Sequence, residues 1–153
     1  MRGLKTGLLL AGGTLAFGVA LAAQQNPQGA GGVYTAEQAT IGATAYGTAC
    51  AGCHRADLSG QFEAPPLAGS NFMKVWRGRS TNDLYTKIAT SMPPAAPGSL
   101  SEQAVTSLVA FILRSNGAPA GNQAFAANTA IPIGQVATGA APPPQVAQQA
   151  APA

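Results

Sequence analysis

Charge is scarce in this sequence: 8% of its 153 residues are Asp, Glu, Lys or Arg, against about a quarter in ordinary soluble domains. A coiled coil, an acidic disordered tail and a nucleic-acid binder with a basic stripe are all built from charge, so none of them is the main design. Histidine occurs once and cysteine twice, which leaves a four-ligand zinc site one donor short. No stretch alternates apolar and polar residues as a half-buried strand does, and no segment repeats. Glycine and proline, at 19 and 12 residues, are what the chain has in plenty.

The few charges are unevenly placed. Arg2 and Lys5 stand at the N-terminus, the other eleven fall between Glu37 and Arg114, and residues 6–36 and 115–153 carry none. Composition therefore divides the chain into a leader, one central domain near 33–117 and an Ala/Pro/Gln-rich tail, 118–153. The leader has a basic start, an apolar run from Gly7 and small residues at Ala20, Ala22 and Ala23, the pattern of an export signal spanning 1–23. The competing reading is a retained membrane anchor, because Gly7 to Ala23 is at the lower edge of a spanning length. Both place the central domain outside the cytoplasm. Loss of Arg2 and Lys5 takes the formal charge from +3 to +1, so the apparent basicity says nothing of nucleic acid.

The central domain reads as all-α. Thr35 with Gln38 forms a capping-box pattern, and Ile41, Gly42, Ala45 and Tyr46 follow at helical spacing, which predicts a helix over 36–49. Gly60 and Pro65-Pro66 mark a loop. Ser70 is placed to cap a short helix carrying Phe72, Val75 and Trp76, and Ser80 with Asp83 repeats the capping box ahead of a helix near 81–90. Pro93-Pro94 stops that helix at Met92 and drives the methionine into an extended conformation. Ser101 caps a last helix, with Leu100 and Val105 as its staple, and Asn116-Gly117 ends it. A domain this small buries a modest core and needs a staple, a metal or a cofactor.

Cys50-Ala51-Gly52-Cys53-His54 supplies a candidate for each. Two thiols three residues apart at a helix end share a face and can add to the two vinyl groups of a haem, with the next residue, His54, held under the iron. A structural disulfide competes, but gives the sole histidine no reason to stand beside it. A thioredoxin-type pair competes too, but wants a βαβ setting. Of the three methionines, Met1 belongs to the leader, Met73 suits core packing, and Met92 sits on backbone stiffened by prolines, 38 residues beyond His54. Met92 is the candidate sixth ligand.

In order, Cys50–His54, Ala56-Asp57-Leu58-Ser59-Gly60, Ala64-Pro65-Pro66-Leu67-Ala68-Gly69, Phe72, Trp76, Gly78-Arg79-Ser80, Met92-Pro93-Pro94 and Ala110-Phe111-Ile112-Leu113 resemble class I cytochrome c. More narrowly, they are similar to the mono-haem cytochromes c, free or fused, that accompany PQQ-dependent alcohol dehydrogenases. The resemblance covers about residues 34–121. It implies three or four short helices wrapped around one covalent haem c on Cys50 and Cys53, with His54 and Met92 as axial ligands. It further implies that the Pro65 carbonyl accepts a hydrogen bond from His54, that Leu67 packs on the haem, and that Trp76 and Arg79 meet the propionates. Gly42 and Tyr46 match a close crossing of the first and last helices. Two positions depart from the pattern: Arg55 stands where relatives often have Gly, and Ser91 where Thr is common.

The implied protein is a periplasmic electron carrier and not an enzyme. Its donor would be a quinoprotein dehydrogenase and its acceptor an oxidase or another cytochrome. The alternatives are a haem subunit fixed in a membrane-associated dehydrogenase or oxidase complex, and, further off, a ligand-binding or peroxidatic haem protein. Membrane contact is expected only if the leader is retained. Two ionised propionates would bring the +1 chain to −1, so partner choice would rest on local patches. The tail, with Pro142-Pro143-Pro144, reads as extended or disordered, although Phe125 and Ile131-Pro132-Ile133 are apolar enough to lie on the domain or a partner.

Overall fold

The computed structural model describes residues 31–141; the leader and Pro142-Pro143-Pro144 lie outside them. The described chain is helical: α1 Ala36–Ala49, α2 Ala51–His54, α3 Gly69–Trp76, α4 Thr81–Ser91, α5 Glu102–Ser115 and α6 Ile133–Val136. Strand-like pairing among the described residues is confined to two isolated bridges, Gln61 with Ala64 and Ser80 with Pro132. No helix among them is long and apolar enough to cross a membrane.

Local chemistry sets most of the boundaries. Thr35 Oγ1 accepts from Gln38 N at the start of α1, Ser80 and Asp83 make a complete capping box at α4, and Ser101 Oγ accepts from Ala104 N at α5. Met92, at φ −121° and ψ 146°, is the extended C-cap of α4, as the proline after it requires. Two cap expectations are corrected. The Gln38 side chain does not turn back to close a capping box; its amide donates to Phe125 O at 2.9 Å and accepts from Phe125 N at 2.7 Å. Ser70 is not the cap of α3, which begins at Gly69 behind Ala68; the Gly69 N–H is taken by Asn116 Oδ1 at 3.0 Å.

The core is the crossing of α1 and α5. Val105, Leu108, Val109, Ile112 and Leu113 of α5 are buried and meet Ala39 and Tyr46 of α1 in one apolar cluster with Phe72, Met73 and Leu84. A Cβ at Gly42 would overlap the Ser107 carbonyl of α5, so only glycine permits this approach. Just beyond it, the Tyr46 and Phe111 rings pack with centroids 5.0 Å apart. Leu100 packs against the core and Val105 lies within it.

Of the tail expected from residue 118, residues 118–141 form a belt around the helices, with Phe125 and Ile133 on the domain. It leaves α5 at Ala118, where Tyr34 Oη donates to the Ala118 carbonyl, and Gly121 N donates to Tyr34 O at 2.7 Å. It crosses α1 at Gln38, reaches α4 at Thr81 and Asn82, and returns to the end of α5, where Thr138 N and Gly139 N both donate to Asn116 O. Phe125, Ile133 and Ala137 are buried beneath it. Burial of the two large side chains contributes roughly 1.5–3 kcal/mol each, which is why an uncharged tail leaves solvent.

Asn116 closes the belt. It is fully buried, its Nδ2 donates to Leu67 O and Ile112 O, and its Oδ1 caps α3. All buried polar side-chain atoms among the described residues have a hydrogen-bond partner.

Candidate functional site

An apolar cavity of about 540 Å³ opens between α5, the end of α1 with the chain after it, and α4. Its size is within the roughly 300–1,000 Å³ common for cofactor sites. One wall is the Cys50–His54 segment. Cys50 breaks α1 at φ −125° and ψ −35°, and the single turn of α2 closes on its carbonyl, with Cys53 N and His54 N donating at 3.1 and 2.9 Å. The turn puts Cys50, Cys53 and His54 on the same cavity, and no disulfide joins the two cysteines. Burial of the Cys50 thiol raises its pKa above the ordinary value.

His54 is oriented from behind. Its Nδ1 lies 2.9 Å from the Pro65 carbonyl. A carbonyl only accepts, so Nδ1 carries the hydrogen and Nε2 of the neutral ring keeps its lone pair. The loop that brings Pro65 there is closed by Gly60 N on His54 O and by Leu67 N on Leu58 O. It starts at Arg55, whose φ of 63° reverses the chain directly after the histidine. Tyr46 Oη donates to Arg55 O at 2.6 Å, tying the reversal back to α1.

The facing wall is α4. Leu84, Ile88 and Met92 recur at four-residue spacing, and all three line the cavity. Met73 is buried in the core and is not on the lining. Leu67 and Trp76 line the cavity, Trp76 stacking on Phe72 with centroids 6.0 Å apart. Arg79 does not reach the cavity wall; its guanidinium lies 5.2 Å over the Trp76 ring. The cation on the wall is Lys87, which sequence reasoning passed over although it directly precedes Ile88 on the inner face of α4. Phe62, fully exposed at φ 48°, is a rim residue that no motif announced.

The donor set fits a flat, apolar, iron-bearing cofactor: two thiols, an imidazole nitrogen and a thioether converge on one cavity with few polar neighbours. A fold of short helices with Cys-x-x-Cys-His on such a wall is that of a c-type cytochrome. The family model described as "Cytochrome C oxidase, cbb3-type, subunit III" matches residues 37–112, and this segment is a class I c-type cytochrome domain whose cofactor is haem c, the Cys50 and Cys53 pair fitting the attachment motif. It is an electron-transfer domain. No curated protein matches the chain. Among solved structures, the sulfane dehydrogenase SoxCD from Paracoccus pantotrophus is similar, at 23% identity and a TM-score of 0.44, over 49% of this chain and 41% of that one. The chain therefore spans less than half of the SoxCD chain it matches.

Proposed function

We propose that this protein is a periplasmic single-electron carrier that accepts electrons from a PQQ-dependent alcohol dehydrogenase and passes them towards a terminal oxidase. The observation that carries the reading is the meeting of His54 and Met92 on one cavity with the Cys50/Cys53 attachment pair. Haem bound there supplies one-electron chemistry between ferrous and ferric iron. His54 Nε2 and Met92 Sδ are the residues that would hold the iron; with both engaged, no site would be left open for dioxygen, peroxide or substrate, and the thioether would favour the ferrous state. The apolar walls from Leu67, Leu84 and Ile88 exclude water and hold the ligands constant through the redox cycle. Export by the 1–23 leader supports the compartment, and the motif order from Cys50 to Pro94 supports the donor class.

A second reading, a haem subunit fixed in an oxidase complex, is favoured by the match to the family of subunit III of cbb3-type cytochrome c oxidase. One preparation tests both. The holo-protein, purified with its native partners, should show the charge-transfer absorption of sulfur-ligated ferric iron, lose it in Met92→Ala, and be reduced by quinoprotein dehydrogenases with their alcohols. Absence of the band overturns Met92 as ligand, and failure of every dehydrogenase overturns the donor. Comigration with a large oxidase in size-exclusion chromatography replaces the mobile carrier by the fixed subunit.

A further inference from the structure

We infer that the C-terminal belt sets the position of α4 along its own axis, and with it the Met92 sulfur over the cavity, so that Thr81 is a positioning residue for the methionine eleven residues away. This rests on the reading of Met92 as an axial ligand. Thr81 is the first residue of α4 and is fully buried. Three hydrogen bonds bind it to the belt: Thr81 N donates to Ile131 O at 2.9 Å, Thr81 Oγ1 donates to Thr129 O at 2.6 Å, and Ile131 N donates back to Thr81 Oγ1 at 3.2 Å. Beside it, Asn82 Nδ2 donates to Ala127 O. The turn before α4 is fixed by the same strand of belt, Ile133 N donating to Arg79 O and Gly134 N to Arg77 O.

The rest of α4 is held more loosely. Its inner face, Leu84, Ile88 and Met92, looks onto the cavity, and it packs on α5 far less extensively than α1 does. Apolar contacts along that face resist lateral motion but are non-directional, so they set the axial position weakly. Directional bonds at the N-terminal end set it, and a helix of 11 residues transmits the setting to its C-cap with little loss. The belt thus selects the state in which the sulfur reaches its ligating position over states in which it has slid away.

The test is competition between Met92 and imidazole in the ferric full-length holo-protein, followed by loss of the sulfur charge-transfer band. Thr81→Val keeps the side-chain shape but removes the hydroxyl; Asn82→Ala is a milder second variant, and Thr81→Ser restores the hydroxyl. Imidazole affinity should rise about thirtyfold in Thr81→Val, the equilibrium effect of two hydrogen bonds of ordinary net strength. It should rise severalfold in Asn82→Ala and stay at the wild-type value in Thr81→Ser. Gln38→Met, which cuts the belt from α1 on its other side, should lower the melting temperature yet leave imidazole affinity within twofold. The inference is overturned if Thr81→Val and Asn82→Ala bind imidazole as wild type does. It is equally overturned if Gln38→Met raises affinity as much as they do, because general loosening would then be the cause. Should Met92→Ala and wild type bind imidazole equally, the ligand reading has failed first.

Discussion

Arg55 holds a conformation that glycine adopts freely and other residues pay for, at φ 63° and ψ 157°. Its carbonyl must point where Tyr46 Oη and Leu58 N can reach it, at 2.6 and 3.2 Å, and that requirement fixes the backbone whatever the side chain. The side chain returns little: its one hydrogen bond, from Nε to Gln61 Oε1, is exposed and 3.4 Å long. The Gly common here in similar cytochromes is thus explained by geometry. Arg55→Gly should stabilise the protein by about 1 kcal/mol, the strain of roughly 1–3 kcal/mol less the greater freedom glycine has when unfolded. A denaturation midpoint equal to or below that of wild type would show that the arginine contributes more than it costs. Other single residues could not be read this way from the sequence. Asn116 was legible as a helix stop, but its bonds to Gly69 and Leu67 span 47 and 49 residues, and Gln38 reaches Phe125 across 87. Side-chain amides that serve distant backbone groups look in sequence like ordinary caps.

Elements were more legible, because their ends are decided within a few residues. The Ser80/Asp83 and Ser101 caps and the Pro93 stop act locally, and α1, α4 and α5 lie where those signals place them. The belt was legible only in part: Phe125 and Ile131-Pro132-Ile133 stood out as apolar residues able to lie on the domain, and Phe125 and Ile133 do, but its path depends on helices far away in sequence that offer partners to its backbone. The close approach of α1 and α5 was marked by Gly42, and it gives the element-scale prediction. On an isolated helix, Gly42→Ala would stabilise by up to about 1 kcal/mol. Here the new methyl would run into the Ser107 carbonyl and press on Phe111 Cβ 2.9 Å away, so two helices must part along their main contact. Overpacking of this kind costs roughly 1–3 kcal/mol, more than propensity returns, and the net change should be destabilising. Measured by urea unfolding of the holo-protein, a raised midpoint would mean that the crossing is looser than described.

At the scale of the whole molecule, α1, α4 and α5 all contribute to the cavity wall, and the belt ties α1, α4 and the end of α5 together. Two buried tyrosines latch this arrangement: Tyr34 Oη on the Ala118 carbonyl where the belt begins, Tyr46 Oη on the Arg55 carbonyl behind the attachment turn. Both phenols donate, and a phenolate cannot. Burial raises the pKa of each from 10.0 to about 12; nearby Arg114 pulls Tyr34 back, whereas the Asp57 carboxylate pushes Tyr46 further up. The sign follows from proton counting. Below pH 10 both phenols are protonated in folded and unfolded chains alike, so they give stability no dependence on pH there. Between pH 10 and about 12 the unfolded chain releases these protons while the folded one retains them, so stability falls as pH rises through that window. Unfolding free energy, measured in urea at a series of pH values, should be level in this respect up to pH 10 and then decline. Tyr34→Phe and Tyr46→Phe should each start about 1 kcal/mol lower at neutral pH, having lost one hydrogen bond, and the double variant should lose most of the alkaline slope. A slope that survives in the double variant would assign the alkaline limit to other groups and remove the two phenols from the account of how the belt and the attachment turn are held.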